Sequence, residues 1–216
     1  MGVVDTCRWM RVVLLYCAIH IVFRINRAAL YRHFYFPASA GFFLFTGGKM
    51  QISNYGLDKL KQMEGAVKIF GRHVIYDDAT GKPVAQNEPL PRGATIGYGH
   101  LIKNGENFTG GLTERAANEL LRQDIKIAER AVQKNITASV AQNQYDALVI
   151  FAYNIGAKNF ANSTVVKYIN DSNFHDSRYP TLESAWKAWN RYNGAVSNGL
   201  ISRRQHEWDM YTKAIY

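Results

Sequence analysis

The chain has 216 residues, of which 47% are hydrophobic and 20% are charged, and its formal net charge is +9. This composition is typical of a globular protein and excludes a wholly disordered chain, a collagen and a coiled coil. Two cysteines exclude a disulfide scaffold, and no apolar run reaches the ~18 residues of a membrane span. The positive charge suggests an anionic partner such as nucleic acid, lipid head groups or an acidic polymer.

Residues 1–49 differ from the rest of the chain, because they hold both cysteines and about half of the basic excess. Their apolar run Val12–Phe23 is flanked by arginines. As a helix it would span about 18 Å, which is short of a ~30 Å hydrocarbon core. A secretion signal, a membrane anchor and an interfacial helix all remain open. We favour a fourth interpretation: Gly47-Gly48-Lys49 can be encoded as a ribosome-binding site, so Met50 is the natural start and 1–49 lies outside the fold.

From Met50 onward, Ser53 is expected to cap a short helix in which Leu57, Leu60 and Glu64 share one face and which Gly65 ends. Residues 66–100 mix β-branched and aromatic residues with glycine and proline, which predicts two or three short strands. A turn is expected at 78–81 and a loop at 86–92.

The hydrophobic period becomes helical at Thr113, where one long amphipathic helix is predicted to begin. A second helix over Gln142–Ile155 is apolar on nearly all sides and should be buried. Further helices are expected at 160–170, 182–192 and 202–214, the last capped by Ser202. Helix, small sheet and then many helices predict an α+β fold with two lobes.

Three acidic residues are candidates for catalysis. Glu64 lies beside apolar neighbours, an environment that favours the neutral carboxyl group and suits a general acid. The alternative is an exposed glutamate at a helix end, where the helix dipole disfavours its charge. Asp77 and Asp78 follow a strand, where aspartates commonly form turns through their own backbone.

The segment Thr95-Ile96-Gly97-Tyr98-Gly99-His100 permits a tight backbone beside a cleft. It lacks the glycine spacing of a nucleotide-phosphate loop. No second histidine or cysteine lies at metal-ligand spacing from His100, so His100 is interpreted as a paired structural histidine and no metal or cofactor is expected.

Several motifs that are weak indicators individually become a specific indicator of a protein family when they occur together in one order. Glu64-Gly65, Tyr76-x-Asp78 and the Thr95–His100 segment occur in order and are followed by motifs in the helical half: 144–148, 151–156, 162–164, Trp186-x-x-Trp189, 199–204 and Glu207. This combination resembles the phage-type lysozymes, or endolysins. The resemblance covers nearly all of 50–216, which is therefore predicted to be the catalytic domain, and none of 1–49.

The resemblance implies a lysozyme-like fold, with a small sheet lobe and a helical lobe joined by a long helix. It also implies hydrolysis of the β-1,4 bond between N-acetylmuramic acid and N-acetylglucosamine in peptidoglycan. Glu64 would protonate the leaving oxygen, Asp78 would hold or activate a water or stabilise the oxocarbenium-like centre, and Thr95 would position that water. Two carboxyl groups with separated pKa values meet the needs of glycosidic cleavage.

Family positions also place Leu101, Phe151 and Ser163 along the sugar cleft, with Tyr98 and Asn154 adding hydrogen bonds. His100 and Asp124 match a structural ion pair of the family.

The chain departs from the family between Glu64 and Thr95. The separations are longer, which predicts longer loops within 71–76 and 81–92. Asp78 is preferred to Asp77 as the second carboxylate, with Glu88 as a third choice.

Other functions remain as alternatives. A lytic transglycosylase would cleave the same bond and form an anhydro end. A non-enzymatic protein would bind peptidoglycan or disrupt membranes through its basic residues, including Arg203-Arg204 and Lys213; we favour a solvated helix face for that doublet. Nucleic-acid binding is disfavoured because 50–216 carries only +4 and 16 acidic residues.

The expected protein is a monomer made in the bacterial host cytoplasm, which the absence of cysteine from 50–216 fits. It would act on the cell wall after release through a separate membrane pore, a holin. Export directed by 1–49 is the alternative.

Overall fold

The computed structural model describes residues 49–85 and 87–216, which belong to one unit, Gly47–Tyr216. The predictions for 1–49 lie outside the described residues, except at Lys49. In the part of the chain that is described, no helix is long and apolar enough to cross a membrane.

Helix α1 spans Asn54–Glu64, as the sequence predicts. The Ser53 hydroxyl accepts a hydrogen bond from the Gly56 N–H at 3.0 Å, which satisfies one of the free donors of the first turn. Gly65 ends the helix in the left-handed region, at φ 67°. Because Leu57 and Leu60 are buried, the same helix face brings Glu64 to the edge of the core.

Five short strands follow, where two or three were expected: β1 Lys68–Ile69, β2 Arg72–His73, β3 Tyr76–Asp77, β4 Ala94–Ile96 and β5 His100–Leu101. Strands β1 and β2 form a hairpin, and β3, β4 and β5 form a three-stranded antiparallel sheet in that order. Residues 78–93 connect β3 to β4, so the predicted longer loop after Gly81 is present. Tyr76 pairs with Thr95 and Thr95 pairs with Leu101, so these three side chains share one face of the sheet.

The rest of the chain is mainly helical, with one further hairpin. The elements are α2 Glu114–Asn135, α3 Gln142–Ile155, α4 Ala157–Ala161, α5 Thr164–Asn170, α6 Leu182–Lys187, β6 Arg191–Tyr192, β7 Ala195–Val196 and α7 Asn198–Lys213. Helix α3 lies at the centre, packs against α2 and α7, and has a continuous buried stretch from Tyr145 to Ala152. The predicted α+β fold is confirmed.

Three helix predictions were wrong in their bounds. The helix expected at 182–192 ends at Lys187, because Asn193 and Gly194 both take positive φ and form the tight turn of the β6–β7 hairpin. The last helix starts earlier than predicted: its cap is Ser197, whose hydroxyl accepts from the Leu200 N–H, and Ser202 lies inside the helix. The helix expected at 160–170 is divided at Asn162 and Ser163 into α4 and α5.

Candidate active site

The Glu64 carboxylate lies between two distant parts of the chain. Its Oε1 accepts a hydrogen bond from Arg203 Nη2 on α7 at 2.5 Å. Its Oε2 lies against the β4–β5 turn, where a Cβ added to Gly99 would come within 3.4 Å of it. Gly99 also has a φ of 86°, which glycine adopts at little cost. One carboxylate oxygen is therefore fixed by an ion pair, and the other faces a backbone that has no side chain.

The three-stranded sheet presents a row of side chains next to this carboxylate. Burial raises the pKa of the Tyr76 hydroxyl, and the charges of Asp78 and Glu64 raise it further. Thr95, the cross-strand partner of Tyr76, is buried, and Leu101, next in the row, is 55% exposed. The row thus leads from a tyrosine affected by both acidic charges to an exposed apolar side chain.

Asp77 and Asp78 have different environments. The Asp77 carboxylate accepts from the Ala79 N–H and the Thr80 hydroxyl, both at 3.0 Å, and so holds the turn after β3. The Asp78 side chain is exposed and has no hydrogen bond to any residue that the structure describes. Asp77 thus has the turn-forming role, while the Asp78 carboxylate is free to bind water.

Thr95 is oriented by its own strand. Its hydroxyl donates to the Gly93 carbonyl oxygen at 2.9 Å, so the lone pairs of Oγ1 remain available as acceptors. A water hydrogen-bonded to this oxygen would lie on the same sheet face as Tyr76. The role of Thr95 in orienting a water molecule stays a prediction.

A buried ion-pair network supports the Arg203 side chain. Arg203 Nε donates to Glu207 at 3.3 Å, and Glu207 also accepts from Arg204 at 2.9 Å and from Trp186 Nε1 at 3.0 Å. Glu207 and Arg204 are completely buried. Burial raises the pKa of the Glu207 carboxyl, and the contacts with Arg204, Trp186 and Arg203 oppose that rise.

The favoured interpretation of the Arg203-Arg204 doublet as a solvated helix face is therefore wrong. Only 11% of the Arg203 side chain is exposed, and none of Arg204. Both arginines point inward because Glu207, one turn further along α7, supplies a buried carboxylate to each.

Tyr153 is a site residue that the sequence did not reveal by itself. It lies on α3, and burial together with the charges of Glu64 and Asp124 raises the pKa of its hydroxyl strongly. The charge of Glu64 thus acts on two tyrosine hydroxyls, Tyr153 on α3 and Tyr76 on β3. Helix α3 is apolar on all sides, and such a pattern gives no indication of which residue faces a cleft.

Comparisons with known proteins agree with this geometry. Residues 72–207 match the sequence profile described as phage lysozyme, which is more than half of the chain. The chain belongs to the phage lysozyme family. The endolysin of Salmonella phage P22 is 34% identical over 161 residues, and the match covers 73% of this chain and 95% of that protein.

Other family members extend the comparison. The endolysin of Bacillus phage PZA is 33% identical over 165 residues, which cover 75% of this chain but 55% of that endolysin. The chain thus spans about half the length of this relative. The structure of the endolysin from Escherichia coli O157:H7 phage FAHEc1 is 32% identical, with a TM-score of 0.62 and coverage of 78% of this chain and 98% of that one. The muramidase domain of SpmX from Asticaccaulis excentricus gives a TM-score of 0.57 at 28% identity, covering 76% and 98%.

Two positions assigned to the sugar cleft from this family resemblance are instead used by the fold. Phe151 is completely buried between Phe160 and Trp186, with the Arg204 guanidinium 5.0 Å from its ring centroid. Ser163 is buried and caps α5, because its hydroxyl donates to the Phe160 carbonyl oxygen and accepts from the Val166 N–H. Neither side chain is placed to contact a sugar.

The remaining assigned positions are divided between cleft and framework. The Tyr98 hydroxyl donates a hydrogen bond to Glu114 and none to Glu64, and Tyr98 is buried. Asn154 is exposed, but its Oδ1 accepts from the buried Arg204 at 2.6 Å, so it joins the Arg203–Arg204–Glu207 network. Leu101 alone among the five has a largely free side chain.

The predicted pairing of His100 is present. His100 Nδ1 lies 2.9 Å from Asp124, and its Nε2 lies 2.9 Å from Glu106, a second partner that the sequence did not indicate. Among the described residues, no three histidine, cysteine or acidic side chains are grouped as metal ligands. Glu88, the third choice for the second carboxylate, lines a different cavity with Ile75 and Ile102. Ile75 directly precedes Tyr76, and Ile102 directly follows Leu101. Because side chains alternate between the two faces of a strand, this cavity lies on the face of the sheet opposite the Tyr76–Thr95–Leu101 row.

Proposed function

We propose that this chain is an endolysin, a muramidase that hydrolyses the β-1,4 bond between N-acetylmuramic acid and N-acetylglucosamine in peptidoglycan. The observation that carries the proposal is the position of Glu64, whose Oε1 is fixed by Arg203 while its Oε2 lies beside Gly99 in the β4–β5 turn of the sheet that bears the Tyr76–Thr95–Leu101 row. Membership of the phage lysozyme family supports the substrate class, as does the muramidase name of one structural neighbour.

In the proposed reaction, Glu64 donates its proton to the glycosidic oxygen as the bond from that oxygen to C1 of the muramic acid residue breaks. Water then adds to C1, and the proton that it loses returns to the ionised Glu64 carboxylate, either directly or through the second carboxylate and solvent, which regenerates the enzyme. Asp78 is proposed as the group that holds that water or stabilises the positive charge, because its carboxylate is unoccupied and Asp77 is used in a turn. Thr95 is proposed to orient the water through its free lone pairs, and Leu101 to contact the sugar.

The test compares the full chain with Glu64→Gln, Asp78→Asn and Asp77→Asn on purified peptidoglycan, with mass analysis of the released ends. Wild type should release reducing N-acetylmuramic acid ends. Glu64→Gln and Asp78→Asn should abolish that release, whereas Asp77→Asn should reduce it only through weaker folding. Release of anhydro ends would mean that the chain is a transglycosylase and not a hydrolase. Loss of activity in Asp77→Asn alone would mean that Asp77, and not Asp78, is the second carboxylate.

We propose further that the protein is a monomer made in the host cytoplasm and that it reaches the wall through a holin pore. The absence of cysteine from 50–216 supports folding in a reducing compartment. Co-expression with and without a pore-forming protein tests the release step. Lysis that needs the pore supports the proposal, and lysis by the full chain alone would assign export to the chain itself.

A further inference from the structure

A second cavity is lined by Arg203, the residue that holds the Glu64 carboxylate. Its volume is about 680 Å³, which is within the range of small-ligand sites. Helix α1, the β6–β7 hairpin and the start of α7 form its walls. The side chains that matter here are Lys59, Gln62, Tyr192, Ser202, Arg203 and His206. We refer to it as the Lys59–His206 cavity.

The walls of the Lys59–His206 cavity carry basic groups and no acidic ones. Lys59, Arg203 and His206 line it, and no aspartate or glutamate does. Within the described part of the chain, no carboxylate lies within ion-pair distance of Lys59 or His206. Arg203 uses Nη2 for Glu64 and Nε for Glu207, which leaves Nη1 without a hydrogen bond to a described residue. Lys59 therefore brings to the cavity a positive charge that no described carboxylate pairs with, and Arg203 Nη1 keeps N–H donors that the described residues do not use.

A cavity of this kind favours an anionic group small enough to reach Arg203. The other large cavity has almost the same volume, about 690 Å³, but it is mostly apolar and includes Glu88 and Glu106. The two differ in charge rather than in size, so the preference for an anion belongs specifically to the Lys59–His206 cavity. Ser202 and Tyr192 add hydroxyl donors that suit the oxygen atoms of a carboxylate.

We propose that the Lys59–His206 cavity binds a carboxylate of the peptide stem that the substrate carries on its muramic acid residues. This inference rests on the proposed function, because the stems are the charged part of an otherwise neutral glycan strand. Arg203 joins the two sites: the same guanidinium lines the cavity and holds Glu64. A bound stem therefore places the glycan next to the catalytic carboxylate by a contact that lies outside the sugar cleft.

The test uses the full chain carrying Lys59→Gln and His206→Gln together, since neither residue belongs to the catalytic group. Lys126→Gln with His175→Gln is the matched control, because both of these residues are exposed and neither lines the cavity. Each protein is assayed on peptidoglycan and on the same peptidoglycan after the carboxyl groups of its stems have been converted to amides. On untreated peptidoglycan the cavity variant should show a KM about 5- to 10-fold higher, as expected for the loss of one ionic contact and one hydrogen bond. On amidated peptidoglycan it should equal wild type.

Direct binding separates this inference from the proposed function. A free stem peptide is titrated into wild type while the His206 ring signal is followed by NMR. Wild type should bind this peptide more tightly than the same peptide with amidated carboxyl groups. An unchanged KM in the cavity variant, an equal rise on both substrates, or equal binding of the free and amidated peptides would overturn the inference. If wild type cleaves neither form of peptidoglycan, the proposed function fails, and the peptide titration still decides the carboxylate site. Binding of inorganic phosphate in preference to the peptide would assign the cavity to a phosphate polymer instead and would also overturn it.

Discussion

Glu64 and Glu114 are both glutamates at helix ends, and the difference between them separates the environment of the proposed catalytic acid from a structural one. Glu114 is the first residue of α2, where the helix dipole favours a negative charge, and it contacts Lys68 at 2.8 Å, His73 at 3.0 Å and the Tyr98 hydroxyl. Glu64 is the last residue of α1, where the dipole disfavours a negative charge, and it has one donor, Arg203.

The two glutamates therefore differ in whether a carboxylate oxygen remains free to react with a substrate. The contacts with Lys68, Tyr98 and His73 lower the pKa of Glu114 to about 2, so this carboxylate stays ionised and occupied. Glu64 keeps Oε2 free beside Gly99, in the β4–β5 turn of the sheet that bears the Tyr76–Thr95–Leu101 row. A carboxylate whose oxygens are all used stabilises the fold, whereas one with a free oxygen at a cleft can exchange a proton with a substrate.

The largest expected effect comes from changing each glutamate to glutamine. Glu64→Gln should lower activity on peptidoglycan at least about 100-fold, because it removes the proton donor. Its free energy of unfolding should stay within about 1 kcal/mol of wild type, since the lost ion pair is partly exposed and the helix dipole opposed the charge. Glu114→Gln should keep its activity and lose about 1 kcal/mol of stability. Turbidity assays and urea denaturation measure both quantities, and a similar loss of activity in the two variants would remove the distinction.

Arg203→Met should have the next largest effect. It frees the Glu64 carboxylate and removes one donor from Glu207, so the acid is no longer held in position. We expect kcat to fall about 10- to 100-fold, as small misplacements of catalytic groups do, and stability to fall by about 2 kcal/mol. Arg130→Met is the control, because Arg130 is exposed and has no ion pair with a described residue. Wild-type kcat in a folded Arg203→Met would contradict a positioning role.

Gly99→Ala should give a smaller effect that depends on the contact with Glu64. Both Gly99 and Gly105 have a φ near 90°, so alanine at either position should cost about 1–2 kcal/mol of stability. Only at Gly99 does the added methyl group approach Glu64 Oε2, at 3.4 Å, whereas at Gly105 nothing lies within 4 Å. Activity per folded molecule should therefore fall several-fold in Gly99→Ala and stay at the wild-type level in Gly105→Ala. Equal activities would show that the free oxygen of Glu64 does not need this space.

The smallest effect is the pH dependence of the Glu114 contacts. Because the pKa of Glu114 is lowered from 4.5 to about 2 in the folded protein, its stabilising contribution is complete above about pH 5 and is lost as the pH falls towards 2. The difference in unfolding free energy between wild type and Glu114→Gln should shrink over that interval. Denaturant midpoints measured from pH 2 to 7 test this. A difference that stays constant down to pH 2 would mean that the charge of Glu114 is not involved.

Local sequence patterns were sufficient to place Glu64. The i, i+3, i+7 spacing with Leu57 and Leu60, together with the capping residues Ser53 and Gly65, defines both the helix and the face on which the carboxylate lies. The turn after β3 could also be predicted, because an aspartate that bonds its own backbone is a local feature.

Contacts between distant segments could not be predicted in this way. Arg203 is 139 residues from Glu64, and its position in an adjacent pair of arginines indicated a solvated helix face. Only the fold shows that Glu207 draws both arginines inward. Phe151 and Tyr153 present a similar difficulty, because a helix that is buried on nearly all sides has no period that marks its cleft side. The Asn193-Gly194 turn, in contrast, carried a recognisable hairpin signal that the helical reading of 182–192 overlooked.

The most direct test of the account is to digest purified peptidoglycan with the full chain in water labelled with oxygen-18 and to analyse the released sugars by mass spectrometry. If Glu64 is the acid of a hydrolase, each new N-acetylmuramic acid end carries one labelled oxygen, and Glu64→Gln releases almost no labelled ends. Unlabelled anhydro ends, or labelled ends released equally well by Glu64→Gln, would contradict it.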